Sequence, residues 1–288
     1  AVFVLLWSTG WLVATYSNPY ADPLTFLLLR FVLSIAVFGA ITFMLGVRWE
    51  MPRSVAVHAV LSGLFLHTLY LGGVWWAIDR GVPTSMSGLL AALQPLLTAL
   101  LAYWTLGERL TGRQRLGLGL GFVGLLLAIT PQLLDLRGQQ LAAALLPLSV
   151  NALAMLAVTI GTVYQKRVFH GANLFQVATL QFVGAALFMV PAVLLLEPQM
   201  RLEFAPETVI AMLWSVFGLS LGAVSLLLLL INRGQVSRAA SLIYLIPPTV
   251  AIEAWLLFGE QLTGFFIAGT IVVVFGVWLV NKAKTPKN

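Results

Sequence analysis

Apolar residues run almost unbroken through this chain, interrupted by short clusters rich in Pro, Asn, Asp, Gly and Arg. A helix that crosses a bilayer needs about 20 consecutive, predominantly apolar residues. Ten such runs are present, at 2–18, 24–46, 55–78, 84–105, 114–130, 141–164, 174–196, 207–231, 237–257 and 262–281. Membrane-crossing strands would alternate apolar and polar residues over about ten positions. These runs neither alternate nor stop there. The chain is therefore expected to be an all-α integral membrane protein of ten transmembrane helices, with no room left for a soluble domain.

Composition agrees: 60% of residues are apolar and 9% charged, and the mean hydropathy is +0.98. Without cysteine there is no disulfide framework and no thiolate metal site. The first apolar run passes into Asn18-Pro19-Tyr20 and a second run with no small-residue cleavage pattern, so it reads as a first span and not as a leader. Because the chain starts at Ala1, a short segment is expected to precede it.

The net charge of +6 is explained by topology. With a cytoplasmic N-terminus, the inner segments hold Arg48, Arg53, Arg109, Arg113, Arg115, Lys166, Arg167, Arg233, Arg238, Lys282, Lys284 and Lys287. The outer loops hold only Arg80, Arg137 and Arg201, and most of the acidic residues. That bias places both termini in the cytoplasm and leaves nothing for a nucleic-acid partner to explain.

The stretch Pro95 to Gly124 recurs 152 residues later as Pro247 to Gly276. Gly107-Glu108, Leu110-Thr111-Gly112, Gly117 and Gly124 meet Gly259-Glu260, Leu262-Thr263-Gly264, Gly269 and Gly276. The chain thus reads as a duplication, residues 1–135 and 136–288, each copy with five spans. Because five is odd, the second copy must cross the membrane in the opposite sense. Two inverted five-helix repeats are a recurrent design of secondary transporters, whose substrate site lies at the repeat interface.

The runs Leu6-Trp7-Ser8-Thr9-Gly10-Trp11, Ala21-Asp22-Pro23-Leu24-Thr25-Phe26 and Arg30-Phe31, with the two Pro…Gly-Glu-x-Leu-Thr-Gly segments, resemble EamA-type members of the drug/metabolite transporter superfamily. Within it, the chain looks most like the YddG-like bacterial amino-acid exporters. That resemblance implies ten helices around a central cavity in a bacterial inner membrane, with spans 5 and 10 at the back. It also implies alternating-access export of small metabolites, foremost amino acids including aromatic ones. Drugs, nucleosides or a channel-like facilitator remain the alternatives. The expected partners are a small-molecule substrate and membrane lipid, in a monomer without cofactor or metal.

Candidate residues follow from depth and from the cost of placing polar groups in lipid. Arg30 and Glu253 are the ionisable residues clearly inside spans, at similar depth. They are expected to pair, to snorkel separately, or to bind substrate or proton. Pro95, Pro247 and Pro248 lie near mid-membrane at matching positions of the two copies. Each removes a helical hydrogen bond, marking a hinge or a static kink. Trp7, His67, Tyr70, Gln94, Asn151, Gln181, Trp214 and Tyr244 are the expected cavity and substrate-binding residues; hydrogen bonding between helices is the alternative for each amide. Trp49, Trp75, Trp76, Tyr103, Trp104, Trp255 and Trp278 fall near span ends, where aromatic belts form. Gly117, Gly121 and Gly124 make a stripe for close helix contact within one molecule, and Thr111-x-x-Gln114 fits a capping box.

Enzymatic classes find no support. The three aspartates all lie in loops, Ser85-Met86-Ser87-Gly88 lacks the leading glycine of a rhomboid-type motif, and no His-Glu metal spacing or phosphate-cradling loop occurs.

Overall fold

A computed structural model describes residues 2–47, 49, 51–106, 110–134, 139–169, 173–223 and 245–282. Among them the only pairing outside helices and turns is an isolated bridge between Ala21 and Leu202. Helices α1 (Val2–Ser17), α2 (Pro23–Met44) and α3 (Arg53–Gly63) lead into a π-helical turn, π1 (Leu64–Leu69). There follow α4 (Tyr70–Asp79), α5 (Thr84–Ala91), α6 (Gln94–Leu106), α7 (Gly112–Leu134), α8 (Gln139–Val168), α9 (Leu174–Leu196) and α10 (Pro206–Leu213). A second π-helical segment, π2 (Trp214–Ala223), precedes α11 (Ile246–Phe258) and α12 (Gly264–Lys282).

Six of the described helical stretches are long and apolar enough to cross a membrane: Pro23–Met44, Arg53–Asp79, Thr84–Leu101, Gly112–Thr130, Ala143–Gln165 and Leu174–Leu196. Pro206–Gly222, Ile246–Phe258 and Gly264–Val280 are shorter apolar helices. The spans expected at 207–231 and 237–257 extend partly outside the described residues.

The sequence offset of 152 returns in the helix bounds. Helices α6 and α11 each have 13 residues, starting at Gln94 and Ile246. Helices α7 and α12 start at Gly112 and Gly264, and the two π-helical segments fall in the third expected span of each half. Packing repeats as well: α6 lies on α8 as α11 lies on α1, while α2 meets α9 and α7 meets α12.

The α7–α12 seam is built on glycine. A methyl group on Gly117 would stand 2.5 Å from the Gly276 carbonyl oxygen, and one on Gly269 would stand 2.5 Å from the Gly124 oxygen. The reciprocal pairs, Gly124 against the Gly269 oxygen and Gly276 against the Gly117 oxygen, are both 2.7 Å. Gly117 opposite Gly276 and Gly124 opposite Gly269 make the crossing antiparallel. Residues matched by the offset also occupy matching places in it. Only glycine allows backbones to approach this closely. The stripe is a contact within the molecule, as expected.

Local chemistry sets the ends. Thr111 N–H donates to Gln114 Oε1 at 2.8 Å and Gln114 N–H to Thr111 Oγ1 at 3.2 Å, the expected capping box of α7. Gly259 closes α11 with φ 68°, a left-handed cap that favours glycine. Trp75 departs from the expected belt: it is fully buried and stacks on Phe26 with ring centroids 5.2 Å apart. Its helix face points into the bundle, which proximity to a span end does not reveal.

At the bundle end expected to face outward, carboxylates cap helices distant in sequence. Glu197 accepts from Leu24 N–H at 2.9 Å, Thr25 N–H at 2.7 Å and the Thr25 hydroxyl at 2.9 Å. Glu260 accepts from Thr84 and Ser85 N–H at 2.7 and 3.0 Å. These N–H groups have no acceptor within their own helices, and an anion suits the positive helix end. Arg201 joins the same end, donating to the carbonyls of Pro19 and Asn18 while its backbone N–H donates to Asp22. Glu197→Ala strands two buried N–H groups and is expected to cost about 2 kcal/mol, read as a lowered thermal midpoint. Burial pushes the Glu197 carboxyl above the usual carboxylate range, opposed by the hydrogen bonds from Leu24 and Thr25. Its net contribution to stability is therefore fullest below the ordinary carboxylate value and falls as pH rises through the raised one. Glu197→Gln should flatten that fall.

Candidate functional site

Arg30 is the centre of the polar interior. It lies on α2, about 10 Å along the helix from Pro23 at 1.5 Å per residue, and is only 6% exposed. It therefore does not snorkel to the headgroups. One guanidinium nitrogen, Nη2, donates to the Ser220 hydroxyl at 3.3 Å. Ser34, one turn further along α2, reaches the same hydroxyl at 3.5 Å, and Ser220 donates to the Ser215 carbonyl at 3.1 Å. The Arg30 Nε is buried without a hydrogen-bond partner among the described residues.

The two π-helical segments flank this arginine. A π turn widens the backbone by one residue and is frequent at functional sites. Ser220 belongs to π2; His67 belongs to π1 and Tyr70 follows it directly. Both side chains stand within electrostatic reach of the Arg30 guanidinium. The imidazole of His67 stacks on Phe182 at 4.6 Å between ring centroids and tilts against Phe31 at 5.9 Å. Phe182 in turn leans on Phe38, and Phe38 on Phe175. This buried row of rings between α2 and α9 fixes the imidazole from behind.

Of the expected cavity residues, His67 and Tyr70 are within electrostatic reach of Arg30. The amides bond to residues of neighbouring helices. Asn151, fully buried on α8, donates to Ser87 on α5 at 2.8 Å, with its carbonyl oxygen unpartnered among the described residues. Gln181 donates to Ser62 at 3.0 Å and to Gln165 at 3.4 Å; Gln94 reaches Thr162 at 3.5 Å. These bonds join helices. Trp214 is exposed and donates its indole N–H to Thr9 at 2.8 Å. Trp7 packs half-buried against the core. Tyr244 lies outside the described residues.

Pairing of Arg30 with Glu253, one of the three alternatives, is not formed. Glu253 faces α1 and accepts from Ser8 at 3.0 Å, while Arg30 faces π2. Similar depth did not place them on facing helix surfaces. The second carboxylate oxygen, Oε2 of Glu253, is buried with no partner among the described residues.

The prolines also differ from a simple kink. Helix α5 ends at Ala91, a tight turn carries Ala92 and Leu93 with bonds back to Leu89 and Leu90, and α6 starts anew at Gln94 with Pro95 in its first turn. Pro247 and Pro248 likewise stand in the first turn of α11. A proline there loses no bond, since first-turn N–H groups have no helical acceptor. The span around Pro95 is interrupted, not merely bent.

Sequence reasoning missed Ser220, Ser34, Glu197 and the helix-capping role of Glu260. Pairing Glu260 with the helix start at Thr84 requires the fold. Ser220 carried a weak signal, as a polar residue at the π1-equivalent position of the second half.

The model of the EamA-like transporter family matches residues 1–130 and 146–282. A probable amino-acid metabolite efflux pump of Escherichia coli (strain K12) is 25% identical over 96% of this chain and 91% of its own length. Its counterpart in Salmonella typhimurium is 26% identical with the same coverage. A crystal structure with 22% sequence identity superposes with a TM-score of 0.64, covering 96% of this chain and 93% of the other, which supports a common fold. The family and these named relatives are transporters, and proteins of this kind are multi-pass membrane proteins.

Proposed function

We propose that this chain, which belongs to the EamA-like transporter family, exports small metabolites, foremost amino acids including aromatic ones, by alternating access across a bacterial inner membrane. In this reading ten helices form two inverted five-helix repeats, residues 1–135 and 136–288, with both termini in the cytoplasm. The observation that carries it is the α7–α12 seam, where offset-matched glycines meet in reciprocal pairs with equal spacings. Two halves related in that way can exchange conformations, which turns an inward-open path into an outward-open one. The amino-acid assignment draws on the two efflux relatives and on the buried guanidinium of Arg30.

The test is counterflow in liposomes holding the purified protein, with labelled phenylalanine outside and excess unlabelled phenylalanine inside. Alternating access predicts saturable uptake that overshoots equilibrium. Flux linear in concentration with no overshoot would indicate a facilitator. Overshoot with nucleosides or cationic drugs but none with amino acids would overturn the substrate assignment.

A further inference from the structure

We propose that Arg30 is the anchor for a substrate carboxylate, held between the two π-helical segments, and that the transported compounds are therefore carboxylates. The inference rests on the reading of the chain as a small-metabolite transporter and names the chemical class that its site selects.

A guanidinium removed from water needs a counter-charge, and a buried cation without one is strongly unfavourable. Among the described residues the ion pairs of arginine are Arg80 with Asp79, and Arg201 with Asp22 and Glu203, all at helix ends or in loops. Arg30 has none. Glu253, the other ionisable residue expected well inside a span, is turned to Ser8. What Arg30 has is one long bond to a neutral hydroxyl and a buried Nε with its proton unused. The guanidinium fork donates two parallel bonds to a carboxylate, and the free Nε with an Nη forms one edge of such a fork.

The surroundings suit this role. Ser220 and Ser34 supply hydroxyls beside the guanidinium. Ser220 is on π2, in the second half, and His67 and Tyr70 are on or beside π1, in the first. A carboxylate here touches groups from both halves, so its arrival and departure couple to their relative movement. Helix–helix glue, the role of Asn151 and Gln181, does not account for Arg30. A neutral amide would hold Ser220 equally well and without the burial cost of a charge.

The experiment is ligand-induced thermal stabilisation of the detergent-purified full chain, which requires no flux. Three probes share one ring: L-phenylalanine, L-phenylalaninamide (no carboxylate) and 3-phenylpropionate (no ammonium). The acid and the propionate should raise the midpoint at concentrations at least tenfold below any effect of the amide. Arg30→Gln should abolish that preference, and Arg30→Lys should retain part of it. Equal response to acid and amide in the unaltered protein overturns the proposal without any variant. So does a monodisperse Arg30→Gln protein that keeps the preference, and so does an absence of response to all three. Carboxylate-selective binding without counterflow would leave the anchor standing and remove the transport reading instead.

Discussion

Gly117→Val and Gly269→Val should each lower the thermal midpoint by about 5–10 °C, and by similar amounts. The side chain would drive into a carbonyl oxygen of the facing helix at 2.5 Å in both cases. A flexible side chain could turn aside, but a helix backbone yields only if the whole α7–α12 contact opens. Overpacking of this kind costs about 1–3 kcal/mol, sometimes more, and each kcal/mol is worth about 2–4 °C in a chain of roughly this size. Gly119→Val is the control: it sits on α7 with open space around it, so its effect should stay within about 0.5 kcal/mol. Loss at Gly117 with tolerance at Gly269 would mean that the two faces of the seam are not equivalent.

Pro95→Ala should slow counterflow about tenfold per folded protein while leaving the thermal midpoint unchanged or slightly raised. With an N–H at position 95, the backbone can bond to the Ala91 carbonyl and run α5 into α6 without the turn at Ala92 and Leu93. Because Pro95 stands in a first turn, where it loses no bond, its replacement changes the stability of the folded state little. The cost falls on movement. In transporters, broken helices near the midplane form the substrate site and flex with it. An unchanged turnover number would mean that the interruption only shapes the path. Pro247→Ala tests the matching position on α11 in the same assay.

Features set by periodicity or by local chemistry were legible in the sequence. Long apolar runs became helices because a helix satisfies its own backbone in lipid. Gly117 and Gly124 could be read as a packing stripe, and Thr111 with Gln114 as a cap, since three- and four-residue spacing defines a helix face. What sequence lacked was azimuth. In spans that are apolar all round, depth can be counted from the ends, but the direction in which Arg30 or Glu253 points cannot. That is why pairing, snorkelling and substrate binding stayed open for them as alternatives. The π segments at Leu64–Leu69 and Trp214–Ala223 were equally hidden, because one extra residue in a turn leaves no mark on hydropathy. Glu197 and Glu260 read as loop acids because their partners at Leu24 and Thr84 are more than 170 positions away.

The opposed orientation of the two halves is the premise on which alternating access rests, and the absence of cysteine makes it directly measurable. Gly112 and Gly264 open α7 and α12 at offset-matched positions, and a side chain at either meets open space. Gly112→Cys and Gly264→Cys, each as the sole thiol, can be probed with a membrane-impermeant maleimide in right-side-out and inside-out vesicles. Inverted halves predict that Gly112→Cys is labelled only from the cytoplasmic side and Gly264→Cys only from the opposite side. Labelling of both from the same side would contradict it.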